Sequence, residues 1–237
     1  MKISLLAAAV CAALGLSNGT AANAQSTNVK NVTGWEAVGR LNMNNRAMCT
    51  GALIAPDTVL TAAHCLFDPR NGRPVAAGTI NFEAGFLNGR AKAARGVVET
   101  IIHPGYRHNH GGSNDANVDV ALLKLSEPIS PTIIRPFATD VRPELGDQLG
   151  VISYTYTRKN RPMLQQPCNV LARKADVLVM NCEVDFGASG APVFAVQGGE
   201  RPRLVSVISS KAAMGNRPVS VGTIVENALQ VLLNRAG

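Results

Sequence analysis

The stretch CTGALIAPDTVLTAAHC, residues 49–65, decides how the rest of the chain reads. Two short runs, 49–54 and 58–61, are rich in Thr, Val, Leu and Ile, and Ala55, Pro56 and Asp57 separate them. Branched side chains suit a pleated strand, and a Pro-Asp pair suits a turn, so the segment predicts a hairpin rather than a helix. The hairpin runs through three small residues directly into His64, with Cys49 and Cys65 at its two ends.

Working outward, the same pattern recurs. Residues 36–41, 96–102, 120–124, 148–156, 170–174, 177–181, 192–196, 204–209 and 219–224 form short apolar runs bounded by Gly, Pro, Asn or Asp. Only the last segment reads as a helix: Val225, Ala228, Leu229 and Leu232 share one face while Glu226, Gln230 and Asn234 lie elsewhere. Many short strands and one terminal helix predict an all-β barrel pair or sandwich. Pro128, Pro131, Pro136 and Pro143 crowd a region of weak periodicity, which suits a linker over residues 128–146. The expected organisation is a barrel over 25–127, that linker, a second barrel over 147–224 and a helix over 225–237.

Residues 1–24 stand apart. Met1 and Lys2 precede an apolar stretch through Leu16, and Ala22-Asn23-Ala24 offers the small residues a signal peptidase accepts, so cleavage after Ala24 is expected. Val10 before Cys11 does not suit a lipoprotein anchor. The chain is therefore expected to be secreted or periplasmic, with no membrane anchor. Export leaves Cys49, Cys65, Cys168 and Cys182, an even set that favours two disulfides in an oxidising compartment; three pairings are possible, the local one closing two short loops. Neither local pair has the tight spacing of a zinc knuckle.

Of the 237 residues, 46% are hydrophobic and 16% charged, which excludes a disordered chain. Without Lys2, 22 basic residues face 16 acidic ones, but the excess is scattered and not interleaved with aromatics, so nucleic acid is not an expected partner. A monomer is expected.

Two further segments carry chemistry. Residues 117–125, NVDVALLKL, open an apolar run with Asp119, and residues 186–192, FGASGAP, set Ser189 among glycines and small residues. A serine hydroxyl attacks only when an imidazole takes its proton, and that imidazole needs a carboxylate to fix its tautomer. Gly187 and Gly190 allow a sharp turn around Ser189, from which the amides of Gly187 and Ser189 could converge on an oxyanion. Alone, each residue has an ordinary structural reading. In the order His64, Asp119, Ser189 they point to nucleophilic acyl transfer.

The segments LTAAHC, VDVALLKL and GASGAP resemble the chymotrypsin-like (trypsin-like) serine endopeptidases. The likeness is nearest to the secreted bacterial glutamyl-endopeptidase-like branch and extends from WEAVGRL through IIHPGY to LVSVISS. It implies two six-stranded antiparallel β-barrels with the active site between them. It also implies a catalytic triad of His64, Asp119 and Ser189, an oxyanion hole of Gly187 and Ser189, and a Cys49–Cys65 disulfide. Peptide or protein substrates follow, with no cofactor. Cys182 sits where the bacterial branch places its own cysteine. Ala188 replaces the aspartate that animal trypsins carry before the nucleophile, and no Ile-Val-Gly-Gly start lies near residue 25, so zymogen activation through a freed N-terminus is not expected.

For substrate binding the resemblance points to four residues. Glu183 matches the base of the trypsin specificity pocket, where a carboxylate would favour Lys or Arg. Ile208 occupies the wall position at which glutamate-specific relatives have a histidine. Ser209 matches the residue whose backbone pairs with substrate, and Lys211 stands where a glycine usually keeps the mouth open. Three of the four histidines, His103, His108 and His110, cluster in one loop, but HPGY recurs in the family as a plain turn, and no metal is expected. An α/β-hydrolase would need glycine at Ala191 and the serine first in chain order. The remaining alternative is a catalytically silent binding protein on the same fold.

Overall fold

The structure, a computed structural model, describes residues 25–28, 33–109, 115–139, 143–195 and 201–236. The signal-like segment 1–24 and His110 lie outside the described residues.

The first barrel closes in the order β2 (Val38–Met43), β3 (Ala47–Ala55), β4 (Thr58–Thr61), β7 (Ala121–Leu125), β6 (Ala93–Ile102), β5 (Ile80–Ala84) and back to β2. The hairpin read from residues 49–65 is its centre: Leu53 pairs with Val59 and Ala52 with Leu60 across the turn. Closure depends on β5, a strand not anticipated above. Its sequence INFEA buries Ile80, Phe82 and Ala84 while Asn81 is exposed. The alternation was present, but Asn and Glu have weak strand preference and masked it.

The second barrel comprises β8 (Gln148–Thr155), β9 (Arg158–Lys174), β10 (Val177–Met180), β13 (Arg217–Ile224), β12 (Arg203–Met214) and β11 (Pro192–Ala195), and the β8–β9 pairing closes it. A short strand, β1 (Gln25–Asn28), adds to the outer side of β9. The expected strand at 170–174 is only the end of β9. Its earlier half, polar and interrupted by Pro162, reads poorly because much of one face is solvent-exposed. The fold is thus the expected pair of six-stranded antiparallel barrels with a C-terminal helix, α1 (Val225–Ala236), which buries Val225, Ala228, Leu229 and Leu232 and touches both β12 and β6.

The proline-rich connection is packed rather than loose. Ile129, Ile134 and Phe137 are buried, the Phe137 amide donates to Leu53 O at 2.9 Å, and Phe137 lies with Phe194 and Trp35 in an aromatic cluster joining the two barrels. Disulfides Cys49–Cys65 and Cys168–Cys182 close loops of 16 and 14 residues. Each cross-link of that span stabilises by about 3 kcal/mol in the chain-entropy model. The local pairing is the one adopted.

Candidate active site

Strand register brings the first two residues together. β4 and β7 are antiparallel neighbours with Thr61 opposite Ala121. The chain leaves β4 into a 3₁₀ turn, Ala63–Leu66, that carries His64, and it enters β7 two residues after Asp119. Both side chains therefore emerge at one end of the same strand pair. His64 Nδ1 lies 2.7 Å from Asp119 Oδ2, and the His64 backbone amide donates to Oδ1 at 2.9 Å. An ionised carboxylate only accepts, so Nδ1 is the donor.

Asp119 is fully buried. Burial alone pushes its carboxyl upward, but the adjacent His64 ring and hydrogen bonds from His64 and Ser209 more than offset this and hold it below the usual carboxylate range. The Ser209 hydroxyl donates to Oδ2 at 2.6 Å. The resemblance gives Ser209 a backbone that faces substrate; its side chain ties the acid of the first barrel to β12 of the second. Thr223 on β13 adds a second tie by donating to Ala116 O at 2.7 Å.

Ser189 lies in the loop between β10 and β11, and the first barrel holds that loop. The Thr50 amide donates to Ser189 O at 2.9 Å, and the Thr50 hydroxyl donates to Gly187 O at 3.0 Å. On the other side the Gly190 amide donates to Ile208 O at 2.7 Å. Gly187 and Gly190 adopt φ of +98° and +75°, the left-handed region that glycine enters without a steric penalty. Among the described residues, neither the Gly187 nor the Ser189 amide donates to a protein acceptor. Thr50 carries no sequence signal of its own: a threonine in a strand looks like any other, and only the packed structure shows that it braces the serine loop.

His64 and Ser189 line one cleft of 390 Å³ between the barrels, together with the Cys49–Cys65 disulfide, Val184, Phe186 and Ile208. Ser209 and Lys211 line it as well. Lys211 is half-exposed at the rim, with its Nζ 3.9 Å from the centre of the Phe186 ring and 3.7 Å from Asp185. Glu183 is placed differently. It is exposed and not among the lining residues, whereas its neighbour Val184 is. Successive side chains in an extended segment face opposite ways, so with Val184 turned inward Glu183 turns out. The expected carboxylate at the pocket base is therefore not in the cleft.

The histidine-rich loop is used in packing: His108 stacks on Phe67 at 4.2 Å, and His103 Nδ1 accepts from the Gly105 amide. Near His64, the sulfurs of Cys49 and Cys65 are committed to their disulfide.

Two closed barrels with a buried acid, a histidine and a serine converging at their seam define a chymotrypsin-like serine protease architecture. The family model described as Trypsin matches residues 24–230, and the chain belongs to that family. It is 29% identical over 149 residues to a glutamyl endopeptidase of Bacillus licheniformis, covering 62% of this chain and 45% of that protein. It is 28% identical over 166 residues to serine protease 23 of Bos taurus, covering 62% and 43%. The chain thus spans less than half the length of these curated relatives. Among solved structures, a Glu endopeptidase in complex with MPD aligns over 89% of this chain and 95% of its own, with a TM-score of 0.72 and 19% identity. A thermostable serine protease, AL20, from an extremophilic microorganism aligns over 85% and 96%, with a TM-score of 0.66 and 18% identity.

Proposed function

We propose that the chain is an exported serine endopeptidase that hydrolyses peptide bonds through Ser189, His64 and Asp119. The observation that carries this reading is the buried Asp119 carboxylate on Nδ1 of His64, a histidine that lines the same cleft as Ser189. With Nδ1 committed as donor, Nε2 is the ring nitrogen left to accept a proton. Ser189 Oγ attacks the scissile carbonyl carbon as its proton passes to Nε2. The carbonyl oxygen becomes an oxyanion held by the Gly187 and Ser189 amides, each such donor being worth about 3 kcal/mol in the transition state. The C–N bond then breaks, His64 returns the proton to the departing amine, and water releases the acyl group by the same steps. No cofactor enters.

Export is supported by the signal-like residues 1–24 and by two disulfides, which persist in oxidising compartments. Among the described residues, no helix is long and apolar enough to cross a membrane. A fluorophosphonate probe tests the reading: mass spectrometry of the exported protein is expected to find a mature chain starting at Gln25 and the adduct on Ser189. Absence of labelling in a folded sample would favour the silent binding protein.

For the residue on the acyl side of the scissile bond, Val184, Phe186 and Ile208 offer an apolar recess, and the acid on the rim, Asp185, already faces Lys211. The reading that fits this lining is a preference for uncharged side chains over Lys or Arg. Glu183→Ser is then expected to leave the ratio of kcat/KM between Lys and Leu peptides unchanged within about twofold, since an exposed group outside the cleft has no desolvated partner to lose. A selective fall for Lys peptides would instead support a preference for basic residues.

A further inference from the structure

A second cavity, of 290 Å³, adjoins the first and shares Met43, Ala47 and Pro69 with it. Arg46 and Arg73 line it, both exposed. Among the described residues, neither guanidinium takes part in an ion pair or donates a hydrogen bond. The carboxylate on this wall, Asp68, is already committed to Arg70, which donates from Nη2 to Oδ2 at 2.7 Å, from Nε to Oδ1 at 3.1 Å and from its backbone amide to Oδ1 at 2.8 Å. Arg46 is close enough to Asp68 for its charge to help hold that carboxyl low, but the hydrogen bonds of Asp68 go to Arg70, so both guanidinium groups on this wall keep their donors open to the cavity.

The position of this cavity relative to the reaction follows from the histidine. In the mechanism proposed above, on which this inference rests, His64 gives its proton to the departing amine. The leaving segment therefore exits past His64 and the Cys49–Cys65 disulfide, away from the β12 wall. Met43 and Ala47, which both cavities share, pair at the end of the β2–β3 hairpin two residues along the strands from Cys49.

We propose that the second cavity is a subsite for an acidic side chain on the leaving side of the scissile bond, bound by Arg46 and Arg73. A carboxylate is the ligand that paired guanidinium groups recognise by charge-assisted, bidentate contacts. The surroundings add no competing acid beyond Asp68, and the excess of basic residues across the chain favours the approach of an acidic substrate.

Internally quenched peptides sharing one acyl-side sequence test the subsite, with Glu, Gln or Lys placed in turn at successive leaving-side positions. At one position wild-type kcat/KM is expected to favour Glu over Gln by about tenfold at low salt, the size two solvent-accessible ion pairs support. The ratio is expected to shrink to near one at about 1 M salt, where screening extends only a few ångströms. R46Q/R73Q is expected to flatten the ratio, and R46E/R73E to shift preference to Lys. Each ratio is taken within one variant, so a loss of folded protein does not imitate the result. Equal rates for Glu and Gln in an enzyme that the fluorophosphonate labels at Ser189 would overturn the subsite alone. A Glu preference that survives charge reversal would also overturn it. Failure of labelling would instead remove the proteolytic reading, and the subsite with it.

Discussion

Asp119→Asn is expected to lower kcat by about ten-thousand-fold while leaving KM and the fold little changed, the size of effect expected when the histidine is held in the wrong tautomer. The amide has the size of the acid, and its carbonyl can still accept the His64 backbone amide now bonded at 2.9 Å. Its NH₂ then falls where Oδ2 accepts from His64 Nδ1 at 2.7 Å and from Ser209 at 2.6 Å. Two donors would face a donor. The ring escapes by moving its proton to Nε2, and a protonated Nε2 cannot take the proton of Ser189. Single-turnover kinetics on the purified variant, with circular dichroism to establish folding, measure this. A loss below tenfold would show that Asp119 only packs beside the ring. The same residue links stability to pH. Its folded carboxyl titrates below the unfolded value of about 3.9, so its stabilising contribution is present above that pH and is lost as pH falls through the folded value. In Asp119→Asn this part of the acid transition should be missing.

What the sequence discloses of this molecule is uneven, and the reasons are physical. Local hydrophobic runs reveal strands whose two faces differ strongly in burial or are wholly buried, so β3, β4 and β7 could be read directly. They conceal strands such as β9, whose many polar and proline residues tolerate solvent on one face. His64 and Asp119 are legible because each adjoins a buried apolar strand, where a lone polar group requires a reason. Their mutual approach is legible only through the register of β4 against β7. The contacts across the seam leave no local trace. Thr50, which braces the serine loop, and the Ser209 hydroxyl on Asp119 pair residues 137 and 90 positions apart, and nothing in either segment announces the other. Glu183 shows the opposite failure. Counting back from Ser189 reaches Glu183, but spacing does not determine which way a side chain faces, and Val184 is the residue that lines the cleft.

Gly190→Ala tests that seam most severely and is expected to prevent stable folding as well as hydrolysis. At φ +75° an added Cβ would collide with the Thr61 hydroxyl and the Thr50 carbonyl, and would come within 2.9 Å of the Ala62 amide nitrogen. Thr50 and Thr61 cannot retreat independently, because the Thr61 hydroxyl donates to Thr50 O at 2.9 Å and both sit in paired strands of the first barrel. The serine loop cannot retreat either without breaking the Gly190–Ile208 and Thr50–Ser189 hydrogen bonds. Left-handed backbone alone costs an alanine about 1–2 kcal/mol. Gly89→Ala isolates that cost, since Gly89 has φ +85° with nothing within 4 Å of the added atom. Thermal melts of both variants separate the two contributions. Gly89→Ala is expected to lower Tm by roughly 2–8 °C, at the 2–4 °C per kcal/mol of a domain this size. Gly190→Ala should fall by more than about 10 °C or yield no cooperative transition, because the collision adds overpacking and lost hydrogen bonds to the backbone strain. Equal shifts in the two variants would mean that the barrels can part at Ser189 without penalty, and that the close packing around Gly190 does not hold the serine loop.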